Sequence, residues 1–449
     1  MKMGMSKLLT PFRVILISYI VAMFFFSVLL YLPFSSHEAV SVSYTEALFT
    51  SVSAVSVTGL TVVNVPETYN ALGVFFLASA IQLGGIGVMT LGTFVWMVLG
   101  RKIALSQRML IMVDQNQISF SGLVKLMRGI LVVAFGIELI GAMILGTYFL
   151  NYFDTPLESY YQGAFASLSA FTNAGFDVTG QSLVPFADDY FVQLVVILLI
   201  FAGAIGFPVL MELREYFSSR NPNFRFSLFT KIATSTYFIV FFIGMIGLWL
   251  IEYTHYYDGL SWHQQLFFSM FNSATARSGG LATMDVSQLT LASLLLLSGL
   301  MIIGASPSSV GGGIRTTTLA VMFLTIRSFA LGKSDVKVFG REIHVEDKQK
   351  AFIVLSVFVI GLFASILLIA AFESSGEIEL MAIIFEASSA FGTCGLSMGI
   401  TPSLTFPSQV TLMILMLIGR VGLVAFLFSI RAEEKKTHFK YPTERIIIG

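Results

Sequence analysis

Phe49-Thr50-Ser51-Val52-Ser53-Ala54-Val55-Ser56-Val57-Thr58-Gly59-Leu60 is a run of apolar and small residues that closes on glycine, and it recurs along the chain. A second copy reads Phe165-Ala166-Ser167-Leu168-Ser169-Ala170-Phe171-Thr172-Asn173-Ala174-Gly175-Phe176. Another reads Phe385-Glu386-Ala387-Ser388-Ser389-Ala390-Phe391-Gly392-Thr393-Cys394-Gly395-Leu396. The Phe-to-Gly spacing and the Ala five positions before the Gly are the same in all three. Between them lies a more diverged copy, Met270-Phe271-Asn272-Ser273-Ala274-Thr275-Ala276-Arg277-Ser278-Gly279-Gly280-Leu281, which aligns on Gly280 and sets Met270 opposite Phe49. A tandem repeat of this kind governs any reading of the fold. One such match is an ordinary helix-packing glycine; four in register ask for a common architecture.

Each copy follows a helix-start signal, in which a hydroxyl and a side-chain oxygen three residues on satisfy free backbone N–H groups. The pairs are Ser43 with Glu46, Thr155 with Glu158 (Pro156 first in the helix), Ser261 with Gln264, and Ser374 with Glu377. The helices they begin are too short to cross a bilayer. Around them lie uncharged or nearly uncharged runs that are long enough: Val14 to Ser36, Thr68 to Gly100, Leu131 to Tyr152 (interrupted by Glu138), Tyr190 to Met211, Ile232 to Ile251, Val286 to Ile314, Ala351 to Phe372 and Ala387 to Gly419. The chain has 449 residues, 56% apolar and 12% charged, a balance that requires lipid against much of its surface. Zero net charge argues against nucleic acid as a partner. The lone Cys394 and five scattered histidines point away from metal and redox chemistry. No His, Cys or paired-carboxylate constellation lies within the spans, so an enzyme is not expected.

Basic residues give the direction of the spans. All but Arg277, Arg315 and Arg420 fall in five clusters, at 2–13, 101–128, 214–231, 327–350 and 431–445, and such clusters mark the cytoplasmic side. The segments between them are acidic, with Glu38, Asp154, Asp177, Asp188 and Glu373 among others. Each segment therefore leaves the cytoplasm and returns. The expected fold is an all-α integral membrane protein of four parallel helix, pore loop, helix repeats, eight spans in all, around a pseudo-fourfold central pore. The repeats fall at 13–103, 122–217, 226–331 and 347–432, with a cytoplasmic tail at 433–449 and both termini inside. Val14 to Ser36 is too long for a signal-peptide core and is read as a retained span.

A short helix entering from outside, followed by extended backbone, is a re-entrant loop. Non-helical backbone at membrane depth is tolerated where it lines a wet cavity or is buried in protein. Converging helix C-termini favour a cation, and exposed carbonyls replace its water shell. Conduction of a monovalent cation follows.

With these segments the chain resembles the Trk/Ktr/HKT superfamily of K+ transporters, over its whole length, and within it the KtrB- and KtrD-like membrane subunits of bacterial Ktr uptake systems. The resemblance implies a selectivity filter that holds K+ at backbone carbonyls of Val57, Thr58 and Gly59, Asn173, Ala174 and Gly175, Ser278, Gly279 and Gly280, and Thr393, Cys394 and Gly395. Glycine in all four copies goes with K+ preference in that family, and serine in the first with Na+ permeation. It also implies a homodimer in a bacterial plasma membrane, with one pore per subunit, and a cytosolic ring of nucleotide-binding KtrA/KtrC-like regulatory subunits. No cofactor is expected in this chain. The resemblance implies K+ as the transported ion and Na+ as an activator. Gly84-Gly85-Ile86-Gly87 sits inside an apolar run and is no dinucleotide fingerprint.

Gly304-Ala305-Ser306-Pro307-Ser308-Ser309-Val310-Gly311-Gly312-Gly313 breaks the second span of the third copy, since no continuous helix survives that density of Gly, Ser and Pro. It is read as an intramembrane loop below the filter, where the family places its gate. Arg420, in the corresponding span of the fourth copy, is the candidate that holds this loop across the pore. Glycines after each filter segment, Gly84 and Gly87, Gly203 and Gly206, Gly304, and Gly419 and Gly422, are read as close helix contacts. Arg277 is expected to pair with Asp285, Arg315 to snorkel toward the cytoplasm, and Glu138 to be paired or to face a cavity. A Na+-coupled secondary active cation symporter is the alternative function.

Overall fold

The computed structural model describes residues 10–38, 40–98, 108–110, 112, 123–218, 223–373 and 378–430, with 442, 444, 446 and 447. Much of the first and last basic clusters, the tail 433–449 apart from those four positions, and Ser374 with Glu377 lie outside them. One element order occurs four times: a long helix, a short helix, then a second apolar helix followed by a break. The first unit contains α1 (Pro11–Tyr31), α2 (Tyr44–Ser56), α3 (Ala71–Ile86) and α4 (Val88–Val98). The second contains α5 (Leu123–Phe149), α6 (Pro156–Thr172), α7 (Tyr190–Ala204) and α8 (Phe207–Ser218). The third contains α9 (Leu228–Glu252), α10 (Trp262–Thr275), α11 (Leu291–Ile302) and α12 (Thr316–Ala330). The fourth contains α13 (Val345–Phe372), α14 (Leu380–Gly392), α15 (Phe406–Val421) and α16 (Leu423–Ile430).

Four helices, α1, α5, α9 and α13, are by themselves long and apolar enough to cross a membrane. They open at strong signals: Thr10 Oγ1 caps α1 with Pro11 in its first turn, and Ser227 Oγ caps α9. Their outer faces carry exposed Phe24, Phe25, Leu139, Ile140, Phe242, Ile243, Ile360 and Phe363, a surface suited to hydrocarbon.

The short helices α2, α6, α10 and α14 form the core. Their inward turns are fully buried although rich in hydroxyls, and in three of them one serine bonds the long helix: Ser51 Oγ donates to Met23 O (2.6 Å), Ser167 Oγ to Glu138 O (2.8 Å) and Ser273 Oγ to Phe241 O (2.7 Å). Within every unit the short helix packs on both its neighbours. Between units the order is cyclic: α3 packs on α6, α7 on α10, α11 on α14, and α15 returns to α2. The basic segment after α12 makes a small hairpin, Lys337–Val338 with Arg341–Glu342, whose two turn residues Phe339 and Gly340 both have positive φ.

Three expectations change. First, α14 starts at Leu380 with Glu379 as its N-cap, later than the sequence signal suggests. Second, the diverged copy is one residue shorter: Ser273 takes the place of Ser51 and Ser167, so Phe271 rather than Met270 stands opposite Phe49. Third, breaks occur in all four second spans and not in the third alone. The run from Thr68 to Gly100 divides at Gly87, the one from Tyr190 at Ile205-Gly206, and α15 from α16 at Gly422; the last two bend by 103° and 99°. The run from Ala387 to Gly419 holds the end of α14, a connection and α15 rather than one span.

Candidate functional site

The four segments meet. Gly59, Gly175, Gly280 and Gly395 all have positive φ (95°, 70°, 73° and 98°), and so do the residues two positions earlier, Val57, Asn173, Ser278 and Thr393 (59°, 55°, 81° and 47°). Val57, Asn173 and Thr393 are left-handed caps of α2, α6 and α14; Ser278 repeats the twist two residues beyond Ala276, the cap of α10. A left-handed residue at a helix end costs about 1 kcal/mol for a side chain other than glycine, so four in register need a fold that holds them. The chain then leaves three helix ends by a bond spanning five residues, Thr58 N to Ser53 O (2.8 Å), Ala174 N to Ser169 O (2.8 Å) and Cys394 N to Ser389 O (2.9 Å), and the shortened third by one spanning four, Gly279 N to Thr275 O (2.7 Å), an oxygen that Gly280 N also reaches at 3.3 Å. The match of Gly279 to Thr58 fixes Gly280 as the fourth member of the set.

The glycines are adjacent in a closed order. A Cβ placed on Gly59 would lie 2.5 Å from Ala174 O and 2.8 Å from Gly175 Cα, and one on Gly175 would lie 3.0 Å from Gly280 Cα. On Gly280 it would strike Cys394 O, and on Gly395 it would strike Thr58 O. Gly59, Gly175 and Gly395 are partly exposed, whereas Val57, Thr58, Asn173, Ala174, Ser278, Gly279, Gly280, Thr393 and Cys394 are buried. A side chain at any of the four would enter this narrow centre, which is the geometric reason for glycine. Ser53 Oγ and Ser389 Oγ accept from Gly59 N and Gly395 N at 3.0 Å each. These supports went unnoticed in the sequence, although a serine six residues before the glycine in three of the copies was the signal. Above Gly59 and Gly175 a depression of ≈ 310 Å³, walled by Thr61, Asn64, Asp177 and Pro402, opens outward.

Residues 304–313 lie beneath. Gly311 sits against Ser278 and Gly312 against Thr393. The loop is almost wholly buried, so its backbone groups need partners, and many of them are paired. Ala305 N bonds Gly312 O (3.2 Å), Ser306 N bonds Ala204 O (2.9 Å), Val310 N bonds Gly203 O (3.3 Å), and Ser308 O accepts from Phe207 N (2.7 Å). Pro307 is partly exposed and Ser309 is buried. Three arginines supply further donors. Arg420 gives one guanidinium nitrogen to Val310 O and the other to Gly84 O and Gly85 O, tying the loop to α3 of the first unit. Arg315 donates to Gly311 O and Ser306 O, so it folds back on the loop instead of snorkelling. Arg277 is fully buried, donates to Tyr237 O and Gly304 O, and lies 3.8 Å from the centroid of the Tyr237 ring. The expected pairing with Asp285 does not occur: Asp285 caps the turn at Ser287 instead. Glu138 is paired as expected, with both carboxylate oxygens within 3.1 Å of Gln82 Nε2 on α3.

The paired glycines divide their work. Gly84, Gly203 and Gly419 press on carbonyls at the ends of the short helices, those of Val55, Phe171 and Phe391, as the close-contact reading requires. Gly87, Gly206 and Gly422 instead carry positive φ and break the helix.

Among known proteins, the family model TrkH, described as cation transport protein, matches residues 7–440. Ktr system potassium uptake protein D of Bacillus subtilis is 48% identical over 452 residues, covering 100% of both chains. Potassium/sodium uptake protein NtpJ of Enterococcus hirae is 34% identical, covering 100% of this chain and 99% of that protein. The crystal structure of the potassium transporter TrkH from Vibrio parahaemolyticus superposes with a TM-score of 0.71 at 17% identity, covering 92% of this chain and 84% of that one, a likeness of fold. The chain therefore belongs to the TrkH family of cation transport proteins, as a multi-pass membrane subunit of the Trk/Ktr type.

Proposed function

We propose that this chain is the K+-translocating subunit of a bacterial K+ uptake system. The ion passes through the centre of four parallel repeats, 13–103, 122–217, 226–331 and 347–432, with eight spans and both termini in the cytoplasm. The observation that carries this reading is the closed ring of Gly59, Gly175, Gly280 and Gly395, each preceded by a left-handed residue at the end of a short buried helix. Such ends aim carbonyls and partial negative charge at one point, where a partly dehydrated cation is stabilised. K+ as the cargo is supported by the names of the full-length relatives. Each segment offers few carbonyl layers, so discrimination against Na+ is weaker than in filters of the Thr-Val-Gly-Tyr-Gly kind.

The loop 304–313 is the gate, and Arg420 holds it across the path. Two such subunits form the dimer, and a cytosolic nucleotide-binding ring of the KtrA/KtrC kind shifts the loop through the adjoining segment 327–350. Moving it from 1:99 to 99:1 takes about 5.5 kcal/mol of differential binding.

The test is tracer flux in liposomes. K+ flux down its gradient without Na+ is expected, and Gly59→Ser, with its new side chain directed at Ala174 O, narrows the K+ to Na+ permeability ratio. An unchanged ratio in a well-inserted variant removes the filter assignment. Strict dependence of flux on Na+ instead establishes the symport reading, which the potassium/sodium name of the Enterococcus relative favours.

A further inference from the structure

On the basic side of the molecule a groove of ≈ 770 Å³ runs between the first turns of α5 and the helix α8. Helix α8 leaves α7 at 103°, so when α7 stands in the membrane α8 lies along its surface. The groove has two kinds of wall. Lys125, Arg128 and Arg214 line it with cationic heads, all three exposed, and none makes a salt bridge among the described residues. Leu126, Val132 and Met211 line it with hydrocarbon. Of its two carboxylates, Glu212 is engaged, accepting the backbone N–H of Ser227 at 3.0 Å, and Glu215 is exposed at the rim. The floor is deepened at Gly129, where any Cβ would collide with the end of Met211. From Val132 the apolar wall continues up α5 as exposed Phe135, Leu139 and Ile140, and Tyr216 and Phe217 of α8 stand exposed beside it.

A water-filled cleft does not need an apolar extension, and a protein-binding patch does not need to sit where a spanning helix meets one lying in the interface. Cations at one end, a hydrocarbon track leading from them toward the membrane centre, and interfacial aromatic residues match the shape and charge of one ligand class. We propose that this groove binds an anionic phospholipid of the cytoplasmic leaflet, its phosphate among Lys125, Arg128 and Arg214 and one acyl chain along Val132, Phe135 and Leu139. The inference rests on the orientation given above, which places the basic clusters at the inner surface. Because the α8 end of the groove adjoins the hinge at Gly206, whose neighbours Ala204 and Phe207 bond Ser306 and Ser308 of the intramembrane loop, occupation of the groove bears on the same elements as the gate.

The experiment uses the full chain with Ser218→Cys, labelled by an environment-sensitive fluorophore; Cys394 is fully buried and stays unlabelled. Reconstituted vesicles contain phosphatidylcholine with either brominated phosphatidylglycerol or brominated phosphatidylcholine as quencher. Quenching by the anionic lipid is expected at about tenfold lower mole fraction, from about three nearby cations partly offset by two carboxylates and by salt. Lys125→Gln with Arg128→Gln and Arg214→Gln removes the preference, and Glu215→Gln, which adds no bulk, strengthens it. Equal quenching by the two lipids, or a preference that survives the triple variant, overturns the proposal. Insensitivity of the label to both lipids also overturns it, in favour of a second copy of the chain or another protein as the occupant. Separately, a membrane-impermeant thiol reagent reads the side on which the Ser218→Cys variant reacts; reaction from outside refutes the orientation without touching the lipid preference, since the vesicle leaflets have the same composition.

Discussion

The second apolar stretches of the units break at equivalent places by two different means. In three of them the break is a hinge at one glycine, Gly87, Gly206 or Gly422, after which a helix resumes. In the third it is the whole segment from Ile303 to Arg315, folded into the centre of the molecule and held by hydrogen bonds to the second unit and by three arginines. A hinge redirects a helix and leaves its backbone bonded to itself. A loop at that depth exposes a row of carbonyls and amides that must be satisfied from outside, so its position depends on its partners. That dependence is the reason for proposing the loop, and not the hinges, as the gate.

The strongest test sets close contacts against hinges. Gly304→Ala would drive a methyl group into Gly312 O, and Gly419→Ala into Phe391 O. Each should cost about 3 kcal/mol or more, from overpacking against backbone that cannot retreat. Gly422→Ala meets nothing within 4 Å and bears only the strain of φ 87°, about 1 kcal/mol. Thermal unfolding in detergent should therefore rank both far below Gly422→Ala; comparable losses in all three would erase the distinction.

Comparable in size is the removal of the tether. Arg420→Ala leaves the carbonyls of Val310, Gly84 and Gly85 without their donor, at about 1–3 kcal/mol for each buried group left unpaired. On the proposed gating, the expected outcome is K+ flux raised several-fold and less dependent on the proposed regulatory ring. Arg420→Lys should behave alike, because one ammonium does not reproduce a planar fork aimed at two elements. Deletion of Ser306 to Ser309 removes the bonds to Ala204 and Phe207 and should act in the same direction. Wild-type flux and regulation in all three variants, each verified as a folded dimer, would show that the loop is not the gate.

Much of this was legible in the chain. The caps at Ser43, Thr155 and Ser261 and the repeated glycines are local signals, and the structure places them as local chemistry demands. The hinges were not legible: Gly87, Gly206 and Gly422 lie within runs that remain apolar on both sides, so composition reports one span where the backbone makes two helices. The shortening of the third copy was hidden because Met270 and Phe271 are both apolar and only the bond of Ser273 to Phe241 fixes the register. Arg277 was misjudged for a related reason. Charge suggests a carboxylate partner, yet at full burial the free carbonyls of Tyr237 and of the nearby loop residue Gly304 supply the acceptors.

The smallest expected effect concerns what the hinged and looped units share. Glu252 and Glu373, each at the end of a long helix, accept both the backbone N–H and the hydroxyl of the residue capping the next span, Thr290 and Thr405. For Glu373, burial pushes the pKa up, but the bonds from Ser408 and Thr405 outweigh it and the net direction is down. A carboxylate with a lowered folded-state pKa contributes stability above its unfolded value, near 4.3, and loses it as pH falls through the folded value. The melting temperature should thus drop by about 1–2 °C on acidification through that window, a small change because burial opposes the hydrogen bonds. Glu373→Gln should flatten this part of the pH profile; an identical profile in the variant would assign the acid sensitivity elsewhere.

The glycine ring closes within one polypeptide, with each member touching a different neighbour: Gly59 meets Ala174, Gly280 meets Cys394, and Gly395 meets Thr58. In a ring assembled from four identical chains, one codon changes all four positions together. Here a codon changes one quadrant, and the other three keep their form. Mutation and selection can therefore alter the centre in quarter steps, and the unequal residues beside the glycines, Thr58, Ala174, Gly279 and Cys394, are what such stepwise divergence leaves behind.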